Sequence, residues 1–254
     1  MPKQNSTGHL DPFREVQTVP LVTPSGQPSS RKAVVFDPMG ESLQVGYVSK
    51  DYKLVPNSAV AEVAQDVLLK TGLDYEENQV MFDGKRFRQR FLLHQVGGEV
   101  RENDIVKVVV DAINSYDGST KFGLEFNALR MVCENGMMVS FMLGGFRFKH
   151  WGDRSFDAEL KSAAQQIENV GNRMHYLMPN LNELTRKRVK RADIQRIFRE
   201  TDLPLTLQAK VFNSIEEDTM WGLYNACTDV FTRAESFHAD NMNRQVSRYF
   251  LSPN

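Results

Sequence analysis

The chain has 254 residues, with 31 basic and 32 acidic side chains, a formal net charge of −1 and 41% hydrophobic residues. This composition is typical of a globular protein and excludes intrinsic disorder over most of the length. The near-neutral charge excludes nucleic-acid binding through the overall electrostatic field, so a polyanion site would require local clustering of basic residues.

The two cysteines, Cys133 and Cys227, lie far apart in stretches that read as buried. This arrangement favours a reducing compartment over a disulfide framework. No stretch reaches the length of an apolar membrane span, about 18 residues, and the first residues contain no apolar signal core. We therefore expect a cytoplasmic protein that has no membrane partner.

The N-terminal residues 1–31 contain five prolines among Ser, Gln and Thr residues. Such a composition predicts a poorly ordered arm outside the core. The remainder, 32–254, is predicted to form a single domain. Period-two patterns dominate its first part, 32–150, and helical periodicity dominates 151–254.

A hairpin is predicted first, with strands at 32–36 and 43–48 on either side of a turn. Apolar side chains then recur on one helical face up to Gly72, a typical helix end. Asn57 or Ser58 is the predicted N-cap, because their side chains accept hydrogen bonds from free backbone N–H groups.

Two more hairpins follow and predict a four-stranded antiparallel meander. In the first, Asp83-Gly84 separates two extended runs, which favours a type I′ turn. The second places its turn around Asp117-Gly118, between strands whose apolar residues alternate.

After Trp151 the apolar period changes from two to about 3.6 residues, which predicts a long helix from Phe156 to Leu177. Further helices are predicted at 181–200, 205–217 and 219–237. Strands thus precede helices, which is typical of an α+β fold. We expect an antiparallel β-meander with an N-terminal hairpin and helix, followed by a C-terminal helical region packed on it.

The strand that follows Asp83-Gly84 has arginines at alternating positions, so Arg86, Arg88 and Arg90 project from one face. Their spacing, about 6.6 to 6.8 Å along a strand, roughly matches the advance per nucleotide of a stretched single strand. Each guanidinium can hold a phosphate bidentately. A solvated sheet face, or an edge strand protected by charge, is the open alternative.

A denser basic stretch lies at 186–199, where seven basic residues accompany a single acid, Asp193. This density predicts contact with a polyanion or with an acidic partner surface. A solvated helix face that touches acidic neighbours in an oligomer is the open alternative. The cations of this stretch that we assign to nucleic-acid binding are Arg186, Lys187, Arg188, Lys190 and Arg191.

No catalytic residue, metal site or cofactor is predicted. The five histidines lack zinc-binding spacing, and no nucleophile elbow is present. Gly97-Gly98 and Gly144-Gly145 lack the pattern of a phosphate-binding loop and are interpreted as turns. A divergent carboxylate cluster of the metal-dependent nuclease type is an open alternative.

Three separated motifs carry a family resemblance. They are NSYDGS at 114–119, RMVCEN at 130–135 and WGLYNACT at 221–228. In this order and spacing they resemble the phage- and plasmid-like family catalogued as domain of unknown function nine-three-two, over roughly residues 45 to 235. Tyr116 occupies a position at which histidine is expected in many relatives.

An architectural similarity adds to this resemblance. A helix, a β-meander and a long helix, in that order, are similar to the core of Rad-fifty-two-type single-strand annealing proteins, which form rings and bind DNA in a basic groove. The two resemblances imply a phage or plasmid protein that binds and anneals single-stranded DNA during recombination, as a ring or filament homo-oligomer in the bacterial cytoplasm. A phage or plasmid exonuclease or a host protein would be a further partner.

A second function class stays open beside it. The chain would then be a protein-interaction module, such as an anti-defence or host-takeover factor, and its basic stretch at 186–199 would bind an acidic host protein. Neither function is enzymatic, and neither requires a cofactor.

Overall fold

The structure, a computed structural model, describes residues 10–36, 43–131, 140–150, 156–201, 203–233 and 239–251. Strands precede most of the helices in these ranges, which confirms the α+β fold. The elements are β1 Val16–Val22, β2 Pro28–Phe36, β3 Leu43–Ser49, α1 Asn57–Thr71, β4 Tyr75–Phe82, β5 Arg86–Arg101, β6 Asp104–Ser115, β7 Phe122–Met131, β8 Ser140–Phe148, α2 Phe156–Arg186, α3 Arg191–Glu200, α4 Leu205–Asn213, α5 Met220–Arg233 and α6 Ala239–Leu251.

The strands form two sheets, one with the order β1-β2-β3 and one with the order β4-β5-β6-β7-β8. The second sheet is the predicted meander, extended by the unpredicted strand β8. Gly97-Gly98 lies inside β5 and Gly144-Gly145 inside β8, so their interpretation as turns was wrong. The chain instead turns between β5 and β6 at Asn103, whose φ of 64° is left-handed.

The chain forms two compact units. Unit 1 comprises Met1–Leu92, Val110–Phe126 and Gly144–Glu168, and unit 2 comprises Leu93–Val109, Asn127–Leu143 and Asn169–Asn254. The boundaries fall within β5, β6, β7, β8 and α2, so each unit holds one part of each of these elements. The single domain predicted for 32–254 stays a prediction.

Strand β1 of unit 1 corrects the expectation of a poorly ordered arm. It pairs antiparallel with β2, and Val19 lies opposite Ala33. Pro20 is in β1, an edge strand, and Pro28 is the first residue of β2. Both are positions at which a sheet tolerates proline, so these prolines do not prevent order. Residues 1–9 lie outside the described residues.

The core of unit 1 joins the first sheet to the β6–β7 turn. The rings of Phe36 and Tyr116 make an edge contact with centroids 5.5 Å apart. The hydroxyl of Tyr52 donates to the backbone carbonyl of Ser115 at 2.8 Å. The buried residues of this cluster are Val34, Phe36, Val45, Val48, Tyr52 and Tyr116.

Helix α1 is confirmed, and it ends at Gly72, whose φ of 65° is left-handed. Its predicted N-cap was wrong, because Pro56 occupies the cap position and no side chain caps the helix. The buried Asn57 is used elsewhere: its Nδ2 donates to the carbonyl of Pro12, and its Oδ1 accepts from Asn114 Nδ2, both at 2.8 Å.

The turn between β4 and β5 is confirmed, but its type was wrong. Gly84 has φ 90°, whereas Asn103 is the one non-glycine residue with positive φ in the part of the chain that the structure describes. A type I′ turn needs positive φ at both central residues, and Asp83 does not have it. Its carboxylate instead accepts the backbone N–H groups of Lys85 and Arg86.

In unit 2, the predicted helix 181–200 is interrupted. Helix α2 ends at Arg186 and α3 begins at Arg191, because the carboxylate of Asp193 accepts the Lys190 N–H at 2.9 Å and caps α3. The helices predicted at 205–217 and 219–237 are present as α4, which is shorter than predicted, and α5, and α6 was not predicted. The predicted positions 234–237 lie outside the described residues. None of the helices in the described ranges combines the length and the apolar character that crossing a bilayer requires.

Candidate nucleic-acid interface

Arg90 does not point to solvent. Its side chain is buried in unit 1, and its Nε and Nη2 donate to the two carboxylate oxygens of Asp111 at 2.6 and 2.8 Å. Asp111 is only 1% exposed. A paired charge without access to solvent cannot hold phosphate, so the assignment of Arg90 to nucleic-acid binding was wrong. Alternation predicted the strand correctly, but it could not show that β6 places an acid opposite Arg90.

Arg86 and Arg88 are half-buried. The Nε of Arg86 lies 4.0 Å from Asp83 Oδ2, within ion-pair range of an acid on the preceding turn. The strand therefore does not present a row of three exposed guanidinium groups. Its geometry favours the alternative interpretation, a sheet face that carries charge, over a phosphate track along β5.

The exposed cations are concentrated where α2 meets α3. Arg186, Lys187, Arg188, Lys190 and Arg191 are all exposed, and we call residues 186–191 the basic segment. One described ion pair lies within it, between Arg188 Nε and Asp218 Oδ2 at 2.8 Å, and both side chains are more than half exposed. Such an exposed pair is worth little in water and yields readily to a competing anion.

The backbone of the basic segment is nevertheless fixed. The backbone carbonyl of Lys187 accepts a hydrogen bond from the Met220 N–H at 2.8 Å, and the Val189 N–H donates to the carbonyl of Asp218 at 3.3 Å. Arg188 forms an isolated bridge with Thr219. The segment thus holds its side chains in solvent from a backbone anchored on the start of α5.

Farther along α3 the positive charge is partly compensated. Arg196 Nε lies 3.3 Å from Glu200 Oε1, and Asp193 is at the start of the same helix. Positive charge is therefore densest at 186–191. Arg86 and Arg88 belong to unit 1 and the basic segment to unit 2, so one continuous track through both stays a prediction.

A second charged cluster of unit 2, which the sequence did not reveal, surrounds Asp104. Its Oδ2 accepts from Trp221 Nε1 at 2.8 Å and from Arg130 Nη2 at 2.9 Å. Arg101 Nε lies 3.3 Å from the same oxygen. Burial raises the pKa of Asp104, but these hydrogen bonds outweigh burial, and the pKa lies below its usual 3.8.

The same cluster includes Glu217. Both of its carboxylate oxygens accept hydrogen bonds from Arg101, which hold the pKa of Glu217 below its usual 4.5. Two arginines and two carboxylates thus balance one another, and the cluster has no net charge to offer a ligand. Its role is to join β6 and β7 to α5 within unit 2. Within the described ranges, no three His, Cys, Asp or Glu side chains are placed to hold a metal ion.

The family model described as Domain of unknown function (DUF932) matches residues 44–250. The chain belongs to this family. The match confirms the resemblance carried by the three motifs and extends it through most of α6. No curated protein and no solved structure matches the chain, and the architectural similarity to Rad-fifty-two-type proteins stays a prediction.

The described motif residues of this DUF932 member make structural contacts. Arg130 and Trp221, from two motifs, bind Asp104. Asn114, from the remaining motif, donates through Nδ2 to the carbonyl of Val55 at 2.8 Å. The Tyr116 hydroxyl accepts the Asn57 N–H at 2.9 Å, and burial raises the pKa of Tyr116 to about 12. Asn114, Tyr116, Arg130 and Trp221 therefore contribute to the fold.

Proposed function

We propose that the chain binds single-stranded DNA of a phage or plasmid through the basic segment and promotes annealing during recombination as a homo-oligomer. The observation that carries the proposal is the exposure of five cations on one anchored stretch of backbone, residues 186–191. Phosphates are the ligands that such a segment recognises, because lysine and arginine release the counterions of a nucleic acid when they bind it. No cofactor or catalytic step is required.

The proposal predicts a definite dependence on salt. Five phosphates neutralised on a single strand give a slope of log K against log salt of about −3.5. Affinity for an oligonucleotide would then fall by about 100-fold when salt rises from about 50 to about 200 mM. Fluorescence anisotropy with a labelled single strand measures this slope directly.

A triple variant tests whether the basic segment is responsible. Lys187→Ala, Lys190→Ala and Arg191→Ala together remove three of the five cations, and we expect the slope to become shallower by about 2. An unchanged slope in this variant would contradict the proposal. Degradation of the oligonucleotide in magnesium or manganese would instead support the nuclease alternative.

The matched control removes the same charge elsewhere. Lys50, Lys70 and Lys121 are exposed residues of unit 1. We expect their simultaneous replacement by Ala to leave the slope close to that of the parent protein. A loss equal to that of the first triple variant would show that overall charge, and not the basic segment, governs binding.

Assembly is tested separately from binding. An annealing protein of the proposed type forms rings or filaments, and images of particles with and without single-stranded DNA reveal them. If each particle contains a single chain under both conditions, the annealing role is contradicted. The DNA binding measured by anisotropy would not be affected by that result.

A second candidate, a protein-interaction module, is favoured by the exposed apolar side chains of α4. Leu205 is 80% exposed and Phe212 60%, and seven positions place them on the same helical face. A protein partner with an acidic rim and an apolar centre would use both this face and the basic segment. This candidate would be supported if the parent protein captures one host protein in stoichiometric amount and the Leu205→Ser/Phe212→Ser variant does not. The parent protein should also retain no DNA at moderate salt.

A further inference from the structure

A groove of unit 2 lies between β5 and α2, with a volume of about 300 Å³. Both of its sides belong to the same unit. Neither the basic segment nor the Asp104 cluster contributes to it. The groove is lined by Gln95, Val96, Gly97, Gly171, Met174, His175 and Met178.

The lining combines apolar surfaces with a polar rim. Met174 is buried and Met178 half-buried, and their thioethers are soft surfaces that pack well against aromatic rings. Gln95 and His175 are exposed, and their side chains offer hydrogen-bond donors and acceptors. A flat ring with apolar faces and a polar edge fits these walls. Nucleobases have that chemistry.

A glycine keeps the helix side of the groove open. Gly171 lies in α2 and has no side chain to fill the space. A Cβ added at Gly171 would meet no atom within 4 Å. A larger residue there would occupy the groove without disturbing the packing.

An exposed aromatic residue stands beside the groove. Tyr176 is 76% exposed, and its ring makes an edge contact with His175 at 6.0 Å between centroids. Aromatic side chains in solvent are platforms on which unpaired bases stack.

A backbone acceptor is also present at this point of α2. Pro179 lies inside the helix and has no N–H to donate to the carbonyl of His175, four residues earlier. That carbonyl therefore lacks its ordinary helical partner, on a residue that also lines the groove.

The groove and the basic segment share one helix. Arg186 lies eleven positions after His175, a distance of about 16.5 Å along α2. That length corresponds to about five nucleotides at a stacked spacing of about 3.4 Å, and to fewer in a stretched strand. One strand can therefore reach both places.

We propose that this groove, flanked by Tyr176, receives an unpaired nucleobase of the strand whose phosphates the basic segment holds. The inference rests on the proposed function and adds a physical reason why the protein would prefer single strands to duplexes. In a duplex the bases are stacked and paired, and they cannot enter the groove without being flipped out. The basic segment holds the strand and the groove distinguishes an unpaired base.

Two oligonucleotides of equal length separate these roles, a labelled oligothymidine and the same backbone without bases. Both carry the same phosphates, so only oligothymidine can use the groove. Because each stacked base contributes about 1 to 3 kcal/mol, we expect oligothymidine to bind about 5- to 150-fold more tightly. Equal affinities for the two would overturn the groove proposal and leave the proposed function standing.

Two variants locate the effect. Gly171→Leu fills the groove and Tyr176→Ala removes the platform, and each should lower the affinity for oligothymidine towards that of the base-free strand. The salt slope should stay unchanged, because no cation is removed. Tyr47→Ala, which removes an exposed tyrosine ring of β3 in unit 1, is the matched control and should have no effect.

Cross-linking gives a readout that does not depend on the stability of the variants. Ultraviolet irradiation of the full chain with an oligonucleotide that contains 5-iododeoxyuridine should attach the base to Tyr176 or His175. Attachment confined to other residues would overturn the inference. Failure of both oligonucleotides to bind at low salt would overturn the proposed function as well.

Discussion

The guanidinium of Arg130 lies over the indole ring of Trp221, 5.4 Å from the ring centroid. The two residues belong to separate sequence motifs, on β7 and α5, and both donate hydrogen bonds to Asp104. A cation over an aromatic ring adds about 0.5 to 2 kcal/mol to such an arrangement. Two of the three motifs by which this DUF932 member resembles its family thus meet at one buried carboxylate.

Replacement of Asp104 should be strongly destabilising. Asp104→Asn leaves Arg130 facing a neutral amide in a buried site, and we expect the free energy of unfolding to fall by about 3 to 5 kcal/mol. Chemical denaturation measures the loss. The control is Asp218→Asn, which breaks the exposed ion pair with Arg188 and should cost less than about 1 kcal/mol. Equal losses of unfolding free energy in the two variants would show that the Asp104 cluster stabilises the fold no more than an exposed ion pair does.

The ion pair between Arg90 and Asp111 yields a second stability prediction. Arg90→Met leaves a buried carboxylate without its cation and should lower the free energy of unfolding by about 3 to 5 kcal/mol. Replacing both residues, as Arg90→Met/Asp111→Leu, should recover most of that loss, because the unpaired charge is then gone. Denaturation curves of the single and double variants measure the two free energies of unfolding. If the double variant is no more stable than Arg90→Met, the assignment of a buried ion pair is contradicted.

Acid should destabilise the protein through His150. Its ring is buried, stacks on Tyr52 at 4.5 Å between centroids, and lies 3.3 Å from the carbonyl of Lys53. Burial lowers the pKa of His150 below its usual 6.5, although hydrogen bonds to backbone carbonyls oppose the shift. The folded state thus binds this proton less readily than the unfolded state. The stability from neutral His150 is present above pH 6.5 and is lost as pH falls below it.

Urea denaturation at about pH 7.5 and about pH 5.5 tests this prediction, since the carboxyl groups with lowered pKa values titrate below this window. His150→Gln should flatten the pH dependence between these values. His175→Gln, at an exposed position of α2, should preserve it. If the parent protein has the same free energy of unfolding at both pH values, the destabilisation by protonation of His150 is contradicted.

Cys227 should resist alkylation in the folded protein. Its side chain is fully buried in α5, and burial raises the pKa of the thiol to about 12. Because the thiolate is the reactive form, a Cys133→Ser variant should be modified by iodoacetamide only after unfolding. Mass spectrometry of native and urea-treated samples measures this, and rapid modification of the native variant would contradict the burial of Cys227.

Much of the fold followed from local patterns. Strands with alternating apolar residues, helix α1 with its terminal Gly72 and the change of period after Trp151 were all readable from the chain. Strand β8 was not, because Gly144-Gly145 interrupts its alternation and resembles a turn. Strand β1 was missed for a similar reason: the prolines of this region suggested disorder, but Pro20 lies in the edge strand β1 and Pro28 at the start of β2.

The candidate site was only partly predictable. The density of charge at 186–191 was visible, whereas the interruption of the helix depended on the carboxylate of Asp193 acting as a cap. The burial of Arg90 was not readable, because alternation assigns a side chain to a face and does not show which acid the neighbouring strand contributes. The groove beside Tyr176 requires β5 and α2 to be adjacent, which is a tertiary relationship.

The ion pair between Arg90 and Asp111 also affects the register in which β5 and β6 pair. A slip of one residue between β5 and β6 would turn Arg90 to the opposite face of the sheet, because side chains alternate. Asp111 would then be buried without a cation, at a cost of about 3 to 5 kcal/mol. Arg147 and Glu125 form a second pair, between β8 and β7, in which Glu125 is buried and the Arg147 side chain is 26% exposed. Misaligned sheets are therefore penalised at two separate strand pairings during folding.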